Sequence, residues 1–217
     1  MNMNKLTAKK GFTLIELLIV IAIIAILATA VILLLNPAQL LAQARDSQRI
    51  SDLDALRKAI AVYLTTVTNI NLGVSTTCYF YIGAGISLTA TTCGGRHASS
   101  VQVVGTTRGV TGAATDWIPI NFTAISSGSP LSVLPIDPRH GALQCAFGFT
   151  PRRCYYSYVG DTANGTFEID ADMESQRYSC GGSDDAENAD GGNRPLPGGA
   201  CAANSLREVG NDPALNL

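Results

Sequence analysis

Residues 12–35 read FTLIELLIVIAIIAILATAVILLL, an apolar run whose one charged residue is Glu16. As a helix rising 1.5 Å per residue it is about 36 Å long, enough to cross a hydrocarbon core of about 30 Å. Three of the four lysines, Lys5, Lys9 and Lys10, precede it without a neighbouring acid. That asymmetry predicts a cytoplasmic N-terminus and an exported C-terminal body. Losing residues 1–11 would remove those three lysines and take the net charge from −2 to −5. The remaining acidic body offers no electrostatic reason to expect nucleic acid or anionic headgroups as partners. Hydrophobic residues make up 47% of the chain, yet aromatics only 6%. Much of the apolar excess sits in this run, and the Gly-, Thr-, Ser- and Ala-rich remainder suits strands and loops.

A cleavable secretory signal fits poorly. Its apolar stretch would be 7–15 residues, followed by a small-x-small site. Ala28-Thr29-Ala30 has that form, but Val31–Leu35 continues the run beyond it. Glu16 is also out of place there, since a carboxylate inside an apolar span is costly and calls for a partner.

All six cysteines follow the run. An even count on the exported side fits disulfides. Their spacings of 15, 52, 9, 26 and 21, without a C-x2-C pair and with two histidines, do not suit structural zinc.

The segment Lys10-Gly11-Phe12-Thr13-Leu14-Ile15-Glu16, running straight into the apolar helix, resembles the type III signal of bacterial type IV prepilins and type II secretion pseudopilins. The detailed resemblance covers about residues 5–68. It implies cleavage between Gly11 and Phe12 by a membrane prepilin peptidase on the cytoplasmic side, then N-methylation of Phe12. It also implies an inner-membrane assembly platform, membrane lipid around the helix before assembly, and copies of this chain or related pilins as filament partners. Glu16 and Phe12 would be the assembly residues. Cutting after Gly11 creates a free amine, cationic at neutral pH. A carboxylate buried in a bundle of apolar helices needs such a partner, and the uncut leader cannot supply it.

Beyond Asn36-Pro37 the helical pattern resumes. Ile50, Leu53, Leu56, Ile60, Tyr63 and Val67 recur at spacings of three and four, with Arg45, Asp46, Arg49, Asp52, Asp54, Arg57 and Lys58 assigned to the other faces and Asp54 and Lys58 in i,i+4 register. One long helix, about Thr13 to Thr68, is expected, kinked or merely bent at Pro37. The apolar stripe is too short for a free coiled coil and suits packing on a sheet. Strands are expected at Cys78–Ile82, Val101–Gly105, Trp117–Phe122, Tyr155–Val159 and Thr166–Ala171. The last two form a hairpin around residues 160–165; both arms alternate, which suggests an antiparallel sheet with one face on the helix. The expected fold is α+β and pilin-like: a long N-terminal helix, membrane-spanning then amphipathic, packed on a small antiparallel β-sheet with disulfide-pinned loops. The expected segments are leader 1–11, span 12–35, amphipathic helix 36–68 and exported β-rich domain 69–217. Among the fifteen pairings six cysteines allow, Cys78–Cys93, Cys145–Cys154 and Cys180–Cys201 close the shortest loops.

Little in the chain suggests catalysis. His97 and His140 lie in loop-like stretches without G-x-S-x-G or H-E-x-x-H, and no Gly-rich phosphate loop follows a strand. Arg152-Arg153 beside Tyr155, Tyr156 and Tyr158 has the composition of a single-strand nucleic-acid platform, but fits a hairpin core and rim better. Asp184, Asp185, Glu187 and Asp190 supply hard oxygens suited to calcium. Some pseudopilins carry calcium in C-terminal loops, yet the spacing departs from an EF-hand at Ala186, and a solvated loop without cofactor is the simpler reading. The chain reads as a structural filament subunit and not an enzyme. The competing reading is a membrane-tethered exported binding protein. The sequence does not separate major pilin from minor pilin or secretion pseudopilin.

Overall fold

The computed structural model describes residues 11–81, 101–142, 145, 153–187 and 206–211. It divides into two compact units, Met1–Leu40 and Leu41–Leu217.

The first unit contains α1, Leu14–Leu35. Its stretch Leu14–Ile32 is long and apolar enough to cross a membrane and buries none of its side chains within the chain. α1 ends where Asn36 adopts the left-handed conformation, φ 39° and ψ 77°. Asn tolerates this region better than most residues, which suits it to a C-cap. Pro37 then opens α2, Pro37–Thr66. Proline is favoured at a first helical position because its missing N–H would have no helical acceptor there. The Asn36 carbonyl accepts from Gln39 N at 3.0 Å, so one residue closes one helix and starts the next. The expected single helix is thus two helices.

In the second unit α2 buries Leu53, Leu56, Ala59, Ile60 and Tyr63 against Trp117, Ile118, Phe122, Tyr156, Tyr158, Phe167 and Ile169. Tyr63 meets Phe122 edge-on, ring centroids 6.1 Å apart. Each large side chain removed from water contributes about 1.5–3 kcal/mol, which makes this face the main anchor of the helix. Ile50 and Val67 pack at its ends, partly buried.

The strands are β1 Thr77–Phe80, β2 Val101–Val104, β3 Ser157–Asp161, β4 Thr166–Ala171 and β5 Arg207–Gly210, in sheet order β2-β1-β3-β4-β5. Three of the pairings are antiparallel, but β1 and β2 run parallel, Thr77 opposite Val101. The sheet is therefore mixed where an antiparallel one was expected. A parallel neighbour needs a long connection, and Phe80 and Val101 are far enough apart in sequence to allow one. The β3–β4 hairpin is tighter than expected. Asp161 still pairs with Thr166, leaving Thr162–Gly165 as the loop. Asp161 accepts Ala163 N at 2.8 Å and Asn164 Nδ2 at 2.7 Å, while Gly165 takes φ 69°. Gly160 belongs to the strand; a Cβ there would collide with the Leu72 carbonyl.

One further expectation fails. Trp117–Phe122 forms no strand: it is a buried irregular plug ending in a 3-10 turn, Phe122–Ala124. Pro119 cannot donate to a ladder, and consecutive buried residues Trp117 and Ile118 break the alternation a one-sided strand needs. Asp116 ties the preceding loop by accepting from Thr107 Oγ1 at 2.6 Å and Thr111 Oγ1 at 3.0 Å. Both faces of the hairpin are closed. Ser157, Glu168 and Asp170 are as buried as Tyr158 and Ile169.

Candidate functional site

The N-terminal site is built by the start of α1. Residues 11–13 precede the helix, with Gly11 clear of neighbouring atoms and Phe12 90% exposed. The Gly11–Phe12 peptide is accessible in the isolated chain. Thr13 is extended at φ −83° and ψ 151° and acts as N-cap. Its amide and hydroxyl both donate to Glu16 Oε2 at 2.8 Å, and its Oγ1 accepts from Glu16 N at 3.3 Å. This reciprocal arrangement satisfies donors that a helix start leaves open, and a carboxylate there also faces the positive end of the helix dipole. Glu16 is thus partnered within its own helix turn. The T-x-x-E pattern of Thr13–Glu16 already carried that signal, and sequence reasoning missed it.

A second constellation lies in the body. Asp46 and Arg49, expected on solvent-facing sides of α2, are fully buried. They follow Ala42 and precede Leu53 at spacings of four, three and four, so they continue the buried face. Arg49 Nη1 donates to Asp46 Oδ1 at 2.7 Å. Its other nitrogens grip Asp137 at 2.7 and 2.9 Å and also reach Glu174. Arg45 and Arg139 donate to Glu174 at 2.7 and 2.9 Å. Asp46 in turn accepts the amides of Glu174 and Ser175 at 2.9 and 2.8 Å. Three guanidiniums and three carboxylates thus meet, balanced in charge, and tie α2 to two distant loops. Burial disfavours a charged Arg49, but its bonds to Asp137 and the charges of Asp137, Glu174 and Asp46 hold it protonated. Burial likewise opposes ionisation of Glu174, yet Arg45, Arg49 and Arg139 bring it down to about 2. Beyond the cluster, Tyr156 donates to Asp52 at 2.9 Å, and burial pushes the Asp52 carboxyl up.

The depressed Glu174 value predicts an acid limb. A carboxyl whose folded pKa lies below its unfolded one stabilises fully above the unfolded value, near 4.5, and loses that contribution as pH falls toward about 2. The thermal midpoint is expected to drop across that window in the native chain and to change less in Glu174→Gln, measured by circular dichroism against pH.

Cys145 and Cys154 are disulfide-bonded, with Cα atoms 5.1 Å apart, as expected. Cys78 and Cys180 are disulfide-bonded too, while Cys93 and Cys201 lie outside the described residues. Of the calcium candidates, Asp184 pairs with Arg177. Asp185 accepts Gly181 N at 2.7 Å, and buried Glu187 accepts Met173 N and Cys180 N at 3.0 and 2.8 Å. These three serve the loop's own bonds and are not brought to one point; Asp190 lies outside the described residues. Tyr155, Tyr156 and Tyr158 are buried and offer no stacking platform. Arg153 donates to the Gly141 carbonyl at 3.0 Å; Arg152 and His97 lie outside the described residues. His140 packs on Tyr81, ring centroids 5.8 Å apart.

Residues 6–32 match the prokaryotic N-terminal methylation motif, the signal of type IV prepilins and pseudopilins. The match covers Gly11, Phe12 and most of α1, and none of residues 41–217. No curated protein and no solved structure is significantly similar to the chain.

Proposed function

We propose that this chain is a pilin or pseudopilin, a structural subunit of a type IV pilus-like filament. The observation that carries the proposal is the methylation motif leading into a helix long and apolar enough to cross a membrane. Residues 1–11 are removed by a prepilin peptidase, and Phe12 becomes the N-methylated end. Residues 12–35 hold the subunit in the inner membrane with its N-terminus cytoplasmic, then pass into the filament core. Residues 36–68 dock on the body, residues 69–217, outside the cytoplasm. During assembly the Phe12 ammonium of one subunit meets Glu16 of its neighbour, drawing that carboxylate into an intermolecular pair. Proteins with this signal are usually structural, and no catalytic step or cofactor enters the proposal.

Electron microscopy of sheared cell-surface material tests it, using gold-labelled antibody against residues 69–217. Labelled filaments are expected from cells that make the protein, and none from cells that lack it. Label confined to the cell envelope would favour a tethered binding protein.

A further inference from the structure

The Cys145–Cys154 disulfide does more than join two positions nine apart in sequence. Both sulfurs are fully buried and sit against the ionic cluster. Arg49 Nη2 lies 3.4 Å from Cys145 Sγ, and Glu174 Oε1 lies 3.9 Å from it. An Asp137 carboxylate oxygen and both sulfurs all fall within 4.8 Å of one another. The disulfide is therefore one wall of the pocket that receives Arg49. Asp137, which grips Arg49 through two bonds, leans on that wall. The Cys154 backbone is itself tied to the stretch that follows Asp137, since Gly141 N donates to Cys154 O and Cys154 N to Ala142 O, both at 2.8 Å.

We infer that oxidation of Cys145–Cys154 and seating of the Asp46–Arg49 face of α2 are coupled, so that the body carries a redox-gated lock on its helix. Two thiols need more room than one S–S bond in a packed interior, and the extra volume would fall on Arg49 and Asp137. A Cys145 thiolate would add a fourth anion to a cluster already balanced at three against three. Closing the lock removes two protons and two electrons from the two thiols. A dithiol–disulfide exchange oxidant accepts them and leaves as two thiols. The coupling is independent of whether the chain assembles. Its consequence is that α2 seats its charged face only after the chain reaches an oxidising compartment.

Hydrogen exchange on the full chain in detergent micelles tests this, comparing the native protein with Cys145→Ser/Cys154→Ser. Amides of residues 42–53 are expected to exchange at least about tenfold faster in the double variant, while those of residues 56–63 and of β3 and β4 stay within about threefold. Coupling is reciprocal, so in Arg49→Met the Cys145–Cys154 pair should be about tenfold easier to reduce against dithiothreitol, a potential about 30 mV higher for this two-electron couple. Unchanged exchange over residues 42–53 in the serine variant would overturn the inference. So would loss of protection throughout the sheet, because the disulfide would then hold the whole domain and not the helix. An unaltered potential in Arg49→Met would overturn it equally.

Discussion

Glu16→Val should leave the protein cut and membrane-inserted but lower its amount in the sheared surface fraction by more than about tenfold. Insertion depends on apolar length, and valine makes the span easier to place in lipid. What disappears is the one carboxylate in α1. An ammonium left without its partner in a buried apolar bundle loses about 3–5 kcal/mol, and each 1.4 kcal/mol is a factor of ten in association. The Thr13 cap complicates that substitution, because valine removes both the charge and the acceptor for the Thr13 amide and hydroxyl. Glu16→Gln separates the two effects, since an amide oxygen can still complete the capping box but carries no charge. Under the charge-pairing account the glutamine variant assembles nearly as poorly as the valine one. Normal filament yield with glutamine would show that the cap, and not the intersubunit pair, is what assembly needs.

Arg49→Met carries the largest expected effect on the body. The side chain is fully buried among Asp46, Asp137 and Glu174. Removing it leaves three carboxylates together in the interior, with the guanidiniums of Arg45 and Arg139 bonded to Glu174. Breaking a buried ion pair from one side costs about 3–5 kcal/mol. For a domain of this size that lowers the thermal midpoint by roughly 6–20 °C. Arg57→Met is the contrast. Arg57 faces solvent and pairs with Asp54 at 3.7 Å, an interaction worth under about 1 kcal/mol. Similar midpoints for the two variants would mean that the buried cluster does not hold α2.

The parts of this molecule written in local pattern were legible. The apolar run, the methylation motif it belongs to and the three-and-four spacing of Leu53, Leu56, Ile60 and Tyr63 each follow from a few adjacent residues. Asp46 and Arg49 share the phase of that stripe, yet their charge assigned them to solvent. The groups that compensate them, Asp137 and Glu174, are far away in sequence, and no local rule brings them in. β5 was missed for a related reason. Arg207–Gly210 is short, and it becomes a strand by pairing with β4. The parallel β1–β2 pair depends on the path of a long connection, and strand propensity carries no record of direction. Trp117–Phe122 misled because β-branched and aromatic residues also fill a core without forming a ladder.

The central claim is that Phe12 begins the working protein. Intact and N-terminal mass spectrometry of the membrane-bound form tests it most directly. The account predicts a chain of residues 12–217 with a methylated Phe12 amine, whereas a chain that retains Met1, or one that begins after Ala30, would contradict it.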